Sequence, residues 1–170
     1  MQNTGTKADV VLEVEDLQTH FQTRWGIVKA VDGVSFSLRK GETLGIVGES
    51  GSGKSVTALS LMRLVPSPPG HIVGGRVILD GEDILQLSEN KMGHVRGSKI
   101  GIILQDPMTS LNPVFTIGNQ VEEAIRIHQH IPSKSVLEKA LDVLRKVRIP
   151  APEARVKNYP HQMSGGMRQR

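Results

Sequence analysis

The chain of 170 residues contains no cysteine, which excludes disulfide bonds and thiolate metal sites and fits a reducing compartment. Aromatic residues make up only 3% of the sequence, so a core must be built mainly from aliphatic side chains. No apolar run approaches the roughly 20 residues of a membrane-spanning helix. The first nine residues are mainly polar and lack the apolar segment of a secretory signal.

Charge of either sign is not concentrated anywhere along the chain. The 21 basic and 17 acidic residues leave a net charge of +4, and the basic residues are scattered rather than grouped with aromatics. Such a distribution indicates a solvated surface and not a nucleic-acid interface. A hydrophobic content of 38% beside 22% charged residues is typical of a globular domain.

A glycine-rich stretch carries the clearest chemical signal. Its residues are Gly48, Glu49, Ser50, Gly51, Ser52, Gly53, Lys54 and Ser55, which fit the phosphate-binding pattern G-x-x-x-x-G-K-[ST]. The glycines keep side chains out of the space that an anion would fill. Lys54 would reach the β- and γ-phosphates of a nucleotide, and the Ser55 hydroxyl would coordinate Mg²⁺.

The segments on either side supply the context that such a loop needs. Thr43–Val47 predicts a buried strand and Val56–Val65 predicts a helix, so backbone N–H groups would converge at the positive end of a helix dipole. The alternative is a chance match on a surface loop, because the chain has 18 glycines. The flanking elements favour the phosphate site.

The first two-thirds of the chain is rich in predicted strands. They cover Val10–Leu17, Ile27–Val31, Val34–Leu38, an antiparallel pair formed by Ile72–Val73 and Arg76–Leu79, and a second buried central strand at Lys99–Leu104. Lys40-Gly41 and Asp80-Gly81 predict turns. The last of these strands leads directly into Gln105.

The remainder is predicted to be helical. Helices are expected at 88–96, at Ile117–His130, and from Ser133, as an N-cap, through Val147, where apolar residues recur at helical spacing. Ser164 is a further predicted N-cap and is followed by Gly165 and Gly166. None of the six histidines has the spacing of an H-E-x-x-H metal site, so the sequence gives no reason to assign them metal chemistry.

The order of these motifs resembles the nucleotide-binding subunit of ABC transporters. In detail, Gly45–Ser55, Gln105–Pro113 and Met163–Arg170 are similar to the dipeptide/oligopeptide/nickel importer ATPases. The resemblance implies an α/β P-loop NTPase fold of the ABC type, with an antiparallel β subdomain and a helical subdomain, incomplete at the C-terminus. Its parts would be a β-rich core at about 10–105, a helical subdomain at about 106–165 and the start of the signature helix at 164–170.

The resemblance also implies a role for each motif. Residues 48–55 would bind ATP, Gln105 would contact Mg²⁺ or the attacking water, and Lys54 and Gln105 would be the catalytic residues. Ser164, Gly165 and Gly166 would bind the ATP held by a partner subunit in a head-to-tail dimer.

An aromatic side chain should stack on the adenine from the first hairpin. Counting from the first strand selects Phe21, and counting back from the phosphate loop selects Trp25. Of the two, we expect Phe21 to be the residue that stacks on the adenine. The alternative for either residue is simple packing on the partner strand.

The expected function is that of an ATP-binding subunit energising a peptide importer. Its partners would be a second ATP-binding subunit, two membrane-spanning permease subunits and, indirectly, an extracytoplasmic substrate-binding protein, with no nucleic acid. It would lie peripherally on the cytoplasmic face of the inner membrane. The alternatives are an importer of nickel or another small solute, a non-transporter ABC ATPase, and a non-catalytic remnant.

The resemblance places further catalytic groups after the last residue of this sequence. An apolar strand ending in Asp-Glu and a later histidine would follow Arg170, and these carboxylates support Mg²⁺ and polarise the attacking water. We therefore expect the 170 residues alone to hydrolyse ATP weakly or not at all.

Overall fold

The computed structural model describes residues 9–104, 110–129 and 131–170. They form two compact units, Met1–Ile102 and Ile103–Arg170, which are described separately.

The first unit is built on a four-stranded antiparallel sheet with the order β2-β1-β3-β4. The strands are β1 (Val10–Thr23), β2 (Gly26–Arg39), β3 (Gly70–Leu79) and β4 (Glu82–Asp83). A turn at Arg24 and Trp25 joins β1 to β2. Because β1 lies between β2 and β3, its inward-facing side chains form the centre of the core.

A bulge in β1 keeps its apolar side chains on one face. Asp16 has a φ of 46°, and the ladders of β1 with both neighbours shift register around it. As a result, Val14 before the bulge and Leu17 after it are both buried, although they are three positions apart and would face opposite sides of a regular strand. Gly75 of β3 is required opposite, because a Cβ there would lie 2.5 Å from the Asp16 carbonyl oxygen.

Helix α1 (Lys54–Leu61) is fixed to the sheet by a buried hydrogen bond. The hydroxyls of Thr19 and Ser60 lie 2.7 Å apart, and neither residue is exposed. The Ser60 hydroxyl donates to the Val56 carbonyl at 2.7 Å, so Thr19 is the donor to Ser60. The bond fixes the position of α1 relative to β1.

Two predicted central strands are wrong. Residues 43–47 and 101–104 have no strand structure, and residues 99–100 contribute only an isolated bridge from Ile100 to Arg96. Val47 is 94% exposed and Ile103 is 96% exposed. A buried strand needs hydrogen-bonded neighbours, and the described residues supply none to either segment.

Other strand predictions need smaller corrections. Ile27–Val31 and Val34–Leu38 belong to the single strand β2, which continues through Gly33 at a φ of 81°. Ile72–Val73 and Arg76–Leu79 do not pair with each other but form the single strand β3 against β1. Gly75, at a φ of 93°, accommodates an irregularity in that strand rather than a reversal.

Within the described residues, the second unit has four α-helices and one 3-10 helix, Pro160–Gln162. The α-helices are α3 (Ile117–His128), α4 (Ser133–Lys146), α5 (Pro152–Arg155) and α6 (Gly165–Gln169), and α2 (Glu89–Val95) belongs to the first unit. Thr116 caps α3 by accepting from the Asn119 N–H. The predicted N-cap of α4 is wrong by one residue, because Pro132 precedes the helix and Ser133 is its first residue.

The helices of the second unit pack around aliphatic side chains. One cluster contains Ile117, Leu144, Ile149, Val156 and Met163, and another contains Ile125, Val136 and Ala140. The helical spacing of Val136, Ala140 and Leu144 predicted this buried face of α4.

Two arginines and a glutamate join the C-terminal end of α1 to α2. The Arg63 guanidinium donates to the Leu87 carbonyl at 2.6 Å, and the Arg96 guanidinium donates to the carbonyls of Met62 and Arg63 at 2.8 and 3.0 Å. Both guanidinium groups also contact the Glu89 carboxylate. The hydrogen bond from Arg96, together with the positive charges of Arg96 and Arg63, outweighs desolvation and holds the pKa of Glu89 below its usual value.

We predict that Glu89→Gln makes the protein less stable at neutral pH and less sensitive to acid. A carboxyl group with a lowered folded-state pKa stabilises the fold above its ordinary unfolded pKa, and that contribution disappears as the pH falls through the lowered value. The urea midpoint should therefore be compared between about pH 7 and about pH 3. Glu82→Gln, at an exposed position in β4, is the control. An unchanged acid dependence in Glu89→Gln would contradict the prediction.

Candidate functional site

The loop at residues 48–55 is closed around the ammonium group of Lys54. Its Nζ donates to the carbonyl oxygens of Gly48 and Glu49 at 2.8 and 2.6 Å and to the Ser52 hydroxyl at 3.2 Å. All three acceptors lie within the predicted phosphate loop. The Lys54 side chain therefore stabilises the loop through hydrogen bonds to residues of the loop itself.

The loop ends at the amino terminus of α1, which carries no side-chain cap. Gly53 is the N-cap residue, with a φ of 88°, and the first turn contains no acidic residue. The Gly53 carbonyl accepts from the N–H and the hydroxyl of Thr57 at 2.8 and 3.0 Å, which starts the helix. The positive end of the dipole is therefore not neutralised by a local carboxylate, an arrangement that suits an external anion.

Two glycines of the loop lie close to other atoms, and of these two only Gly53 faces backbone rather than a side chain that can rotate. A Cβ at Gly53 would lie 2.2 Å from the Ala30 carbonyl oxygen of β2, and one at Gly48 would lie 2.6 Å from the Ser52 hydroxyl. The contact with Ala30 places the loop directly against the edge strand of the sheet. Sequence spacing gave no signal for Ala30, because the contact arises only when β2 folds against the loop.

The two candidate aromatics have different environments. Phe21 is half-buried in β1, and its Cε1 would lie 2.8 Å from a Cβ at Gly70. Trp25 lies in the hairpin turn and is 85% exposed, with the Arg24 guanidinium 4.6 Å from its ring centroid. Phe21 thus packs on the partner strand, whereas the Trp25 ring is accessible.

Of the two predicted magnesium ligands, one lies within the described residues. Ser55 is exposed in the first turn of α1, beside Lys54, and a hydroxyl at this position is a suitable Mg²⁺ ligand. Gln105 lies outside the described residues. Within the described ranges, no group of three or more His, Cys, Asp or Glu residues is arranged to hold a metal ion.

Ser164 caps the short helix α6 as predicted. Its hydroxyl accepts from the Met167 N–H at 3.3 Å, and Gly165 and Gly166 follow it, both exposed. Met163 is 5% exposed and packs in the apolar cluster of the second unit, which anchors the segment. In the part of the chain that the structure describes, no helix has the length and apolar character needed to cross a membrane.

Comparison with known proteins identifies close relatives. The family model described as ABC transporter matches residues 31–170. A probable peptide ABC transporter ATP-binding protein of Sinorhizobium fredii is 56% identical over 98% of this chain and 50% of its own length. The oligopeptide transport ATP-binding protein of Bacillus subtilis is 51% identical, over 94% of this chain and 45% of its own length. The chain therefore spans about half the length of the curated relatives it matches.

Solved structures agree at the level of the fold. The ATP-binding cassette MJ0796, solved as a dimer in a post-hydrolysis state bound to ADP and Pi, superimposes with a TM-score of 0.79 at 24% identity. The alignment covers 93% of this chain and 65% of that one. This similarity confirms the predicted ABC-type fold.

We predict that Gly53→Ala is far more damaging than Gly51→Ala. Both glycines have a positive φ, so each alanine introduces backbone strain of roughly 1–2 kcal/mol, but only at position 53 does the new Cβ collide with a backbone carbonyl. The additional overpacking should raise the loss of stability by about 1–3 kcal/mol. Thermal unfolding of the two variants checks the difference, and equal losses would contradict the close approach of Ala30.

Proposed function

The chain belongs to the ABC transporter family, and from that premise we propose that it binds ATP as part of a subunit energising a peptide importer. The observation that carries the proposal is the loop closed around Lys54 at the uncapped end of α1. The printed names of the relatives, which refer to peptide, oligopeptide and dipeptide transport, support peptides as the substrate.

Different groups of the loop contact different parts of the triphosphate. The backbone N–H groups of residues 48–55 surround the phosphates, and Lys54 exchanges its carbonyl acceptors for phosphate oxygens, which form stronger charge-assisted hydrogen bonds. Ser55 and Gln105 would hold Mg²⁺, and Lys54 and Gln105 would serve in catalysis. The Mg²⁺ ion supplies charge neutralisation at the β- and γ-phosphates.

Of the two aromatic candidates for adenine stacking, the structural environment favours Trp25. Stacking requires an accessible ring face, and Trp25 is 85% exposed. The Phe21 ring is instead packed near Gly70 and is half-buried. We therefore propose Trp25 as the adenine-binding side chain, in place of the residue that counting along the first strand selected.

The second half of the ATP site comes from a partner subunit. Ser164, Gly165 and Gly166 present a hydroxyl and exposed backbone to the ATP held by a second ATP-binding subunit. A site divided in this way makes ATP part of the dimer interface, so that the nucleotide state controls opening and closing. Two membrane-spanning permease subunits then receive the motion at the cytoplasmic face of the membrane, with an extracytoplasmic binding protein delivering the peptide.

We expect Lys54→Ala to weaken ATP binding by tenfold or more, because the lost ammonium makes charge-assisted hydrogen bonds worth about 1.5–3 kcal/mol. Isothermal titration with ATP measures the change, and circular dichroism verifies that the variant is folded. Lys40→Ala, at an exposed turn, is the matched control. In cells carrying the whole transporter, Lys54→Ala should abolish uptake of a labelled peptide. Unchanged ATP affinity in a folded variant would rule out the loop as the nucleotide site.

We expect Trp25→Ala to weaken ATP binding more than Phe21→Leu. Loss of base stacking removes about 1–3 kcal/mol, whereas Leu in place of Phe21 keeps most of the packing near Gly70. Because inorganic triphosphate lacks the base, its affinity should not change in Trp25→Ala. An affinity for ATP that falls only in the Phe21 variant would restore Phe21 as the stacking residue.

A further inference from the structure

Two histidines that are far apart in sequence face each other on the sheet. His20 of β1 and His71 of β3 are direct partners in the antiparallel ladder. The adjacent pairs, Thr19 with Ile72 and Phe21 with Gly70, continue the same register without a shift. The two imidazole side chains therefore project from the same face of the sheet, with Cβ atoms about 4.5–5.5 Å apart.

The face that carries these histidines is the one opposite α1. Thr19 is fully buried and is hydrogen-bonded to Ser60 of α1, so the next residue, His20, projects from the other side of the sheet. Its Nε2 is buried and has no hydrogen-bond partner among the described residues. A buried imidazole nitrogen without a protein partner is uncommon in folded proteins, and a bound water or cation would satisfy it.

His71 is prepared for coordination by a neighbouring hydroxyl. Its Nδ1 lies 3.2 Å from the Ser67 hydroxyl, and the side chain is on the exposed part of β3. When Nδ1–H donates to Ser67, the lone pair of Nε2 is free to bind a cation. Metal-binding histidines are oriented in this way by a partner at the second ring nitrogen.

We propose that His20 and His71 form a two-histidine site for a late first-row divalent cation, with water completing the coordination. Imidazole donors select Cu²⁺, Ni²⁺ and Zn²⁺, and the usual order of affinity places Cu²⁺ first. Mg²⁺ prefers oxygen ligands and is a poor match for two imidazoles, and the site shares no residue with the proposed ATP site. Bound metal links β1 to β3 and raises the melting temperature, because it binds only the folded register.

The one charged ladder partner of His20 is a lysine, whose positive charge opposes a bound cation and is partly offset by a nearby carboxylate. Lys29 of β2 is the other ladder partner of His20, and its ammonium lies 3.5 Å from the Asp32 carboxylate. Because no third His, Cys, Asp or Glu joins the pair within the described residues, the affinity should be lower than that of a closed four-ligand site.

The test is titration of the tag-free, EDTA-treated chain with CuCl₂ in the absence of nucleotide, since triphosphates chelate copper. Calorimetry should show one equivalent of Cu²⁺ that is lost in both His20→Ala and His71→Ala, and pulsed electron paramagnetic resonance should report two imidazole ligands. His94→Ala, at an exposed position on α2, is the matched control and should retain that equivalent. MgCl₂ should neither bind there nor raise the melting temperature.

Two further variants keep the test decisive. If His20→Ala does not fold, His71→Ala at the exposed ladder position still removes the site, and it should retain ATP affinity because it lies outside the phosphate loop. Ser67→Ala should weaken Cu²⁺ binding by about tenfold while leaving the two-imidazole spectrum intact. Equal Cu²⁺ stoichiometry and affinity in the unaltered chain and in His71→Ala, or a spectrum of a single imidazole, would overturn the proposal.

Discussion

The position of α1 is the constraint on which the first unit depends. Its last turn is fixed to the sheet by the buried Thr19–Ser60 hydrogen bond, and the carbonyls of Met62 and Arg63 that follow it accept from Arg96. These contacts hold the C-terminal end of the helix, whereas its amino end has no side-chain cap. The predicted phosphate loop leads into that amino end, so the fold presents an uncompensated helix dipole at a fixed location.

The Lys54 side chain holds the loop in its closed conformation. Its ammonium group donates to the carbonyls of Gly48 and Glu49 within the same loop. Gly53 makes this possible because it adopts a positive φ while lying against the Ala30 carbonyl. The same geometry explains why the motif requires glycine at this position: both the backbone conformation and the available space exclude a side chain.

Much of the local structure could be predicted because it depends on short-range chemistry. The loop at 48–55, the Ser164 cap, the turns at Lys40-Gly41 and Asp80-Gly81, and the buried face of α4 all follow from residue types at fixed spacing. The strands predicted at Thr43–Val47 and Lys99–Leu104 failed because strand formation depends on partners elsewhere in the chain. The apolar composition of these segments indicates that they are suited to burial, but it does not provide the neighbouring strand to which a new strand must hydrogen-bond.

The sequence by itself determined the family, the position of the glycine-rich loop before α1 and the Ser164 cap, since each follows from a contiguous pattern of residues. Tertiary structure alone decided three other features: the contact of Ala30 with Gly53, the accessibility of Trp25 compared with Phe21, and the pairing of His20 with His71. The pairing of His20 with His71 depends on the register between β1 and β3, and a shift of one residue would turn a side chain to the opposite face. Because that register is set by the bulge at Asp16 and the packing of the whole sheet, no local pattern encodes it.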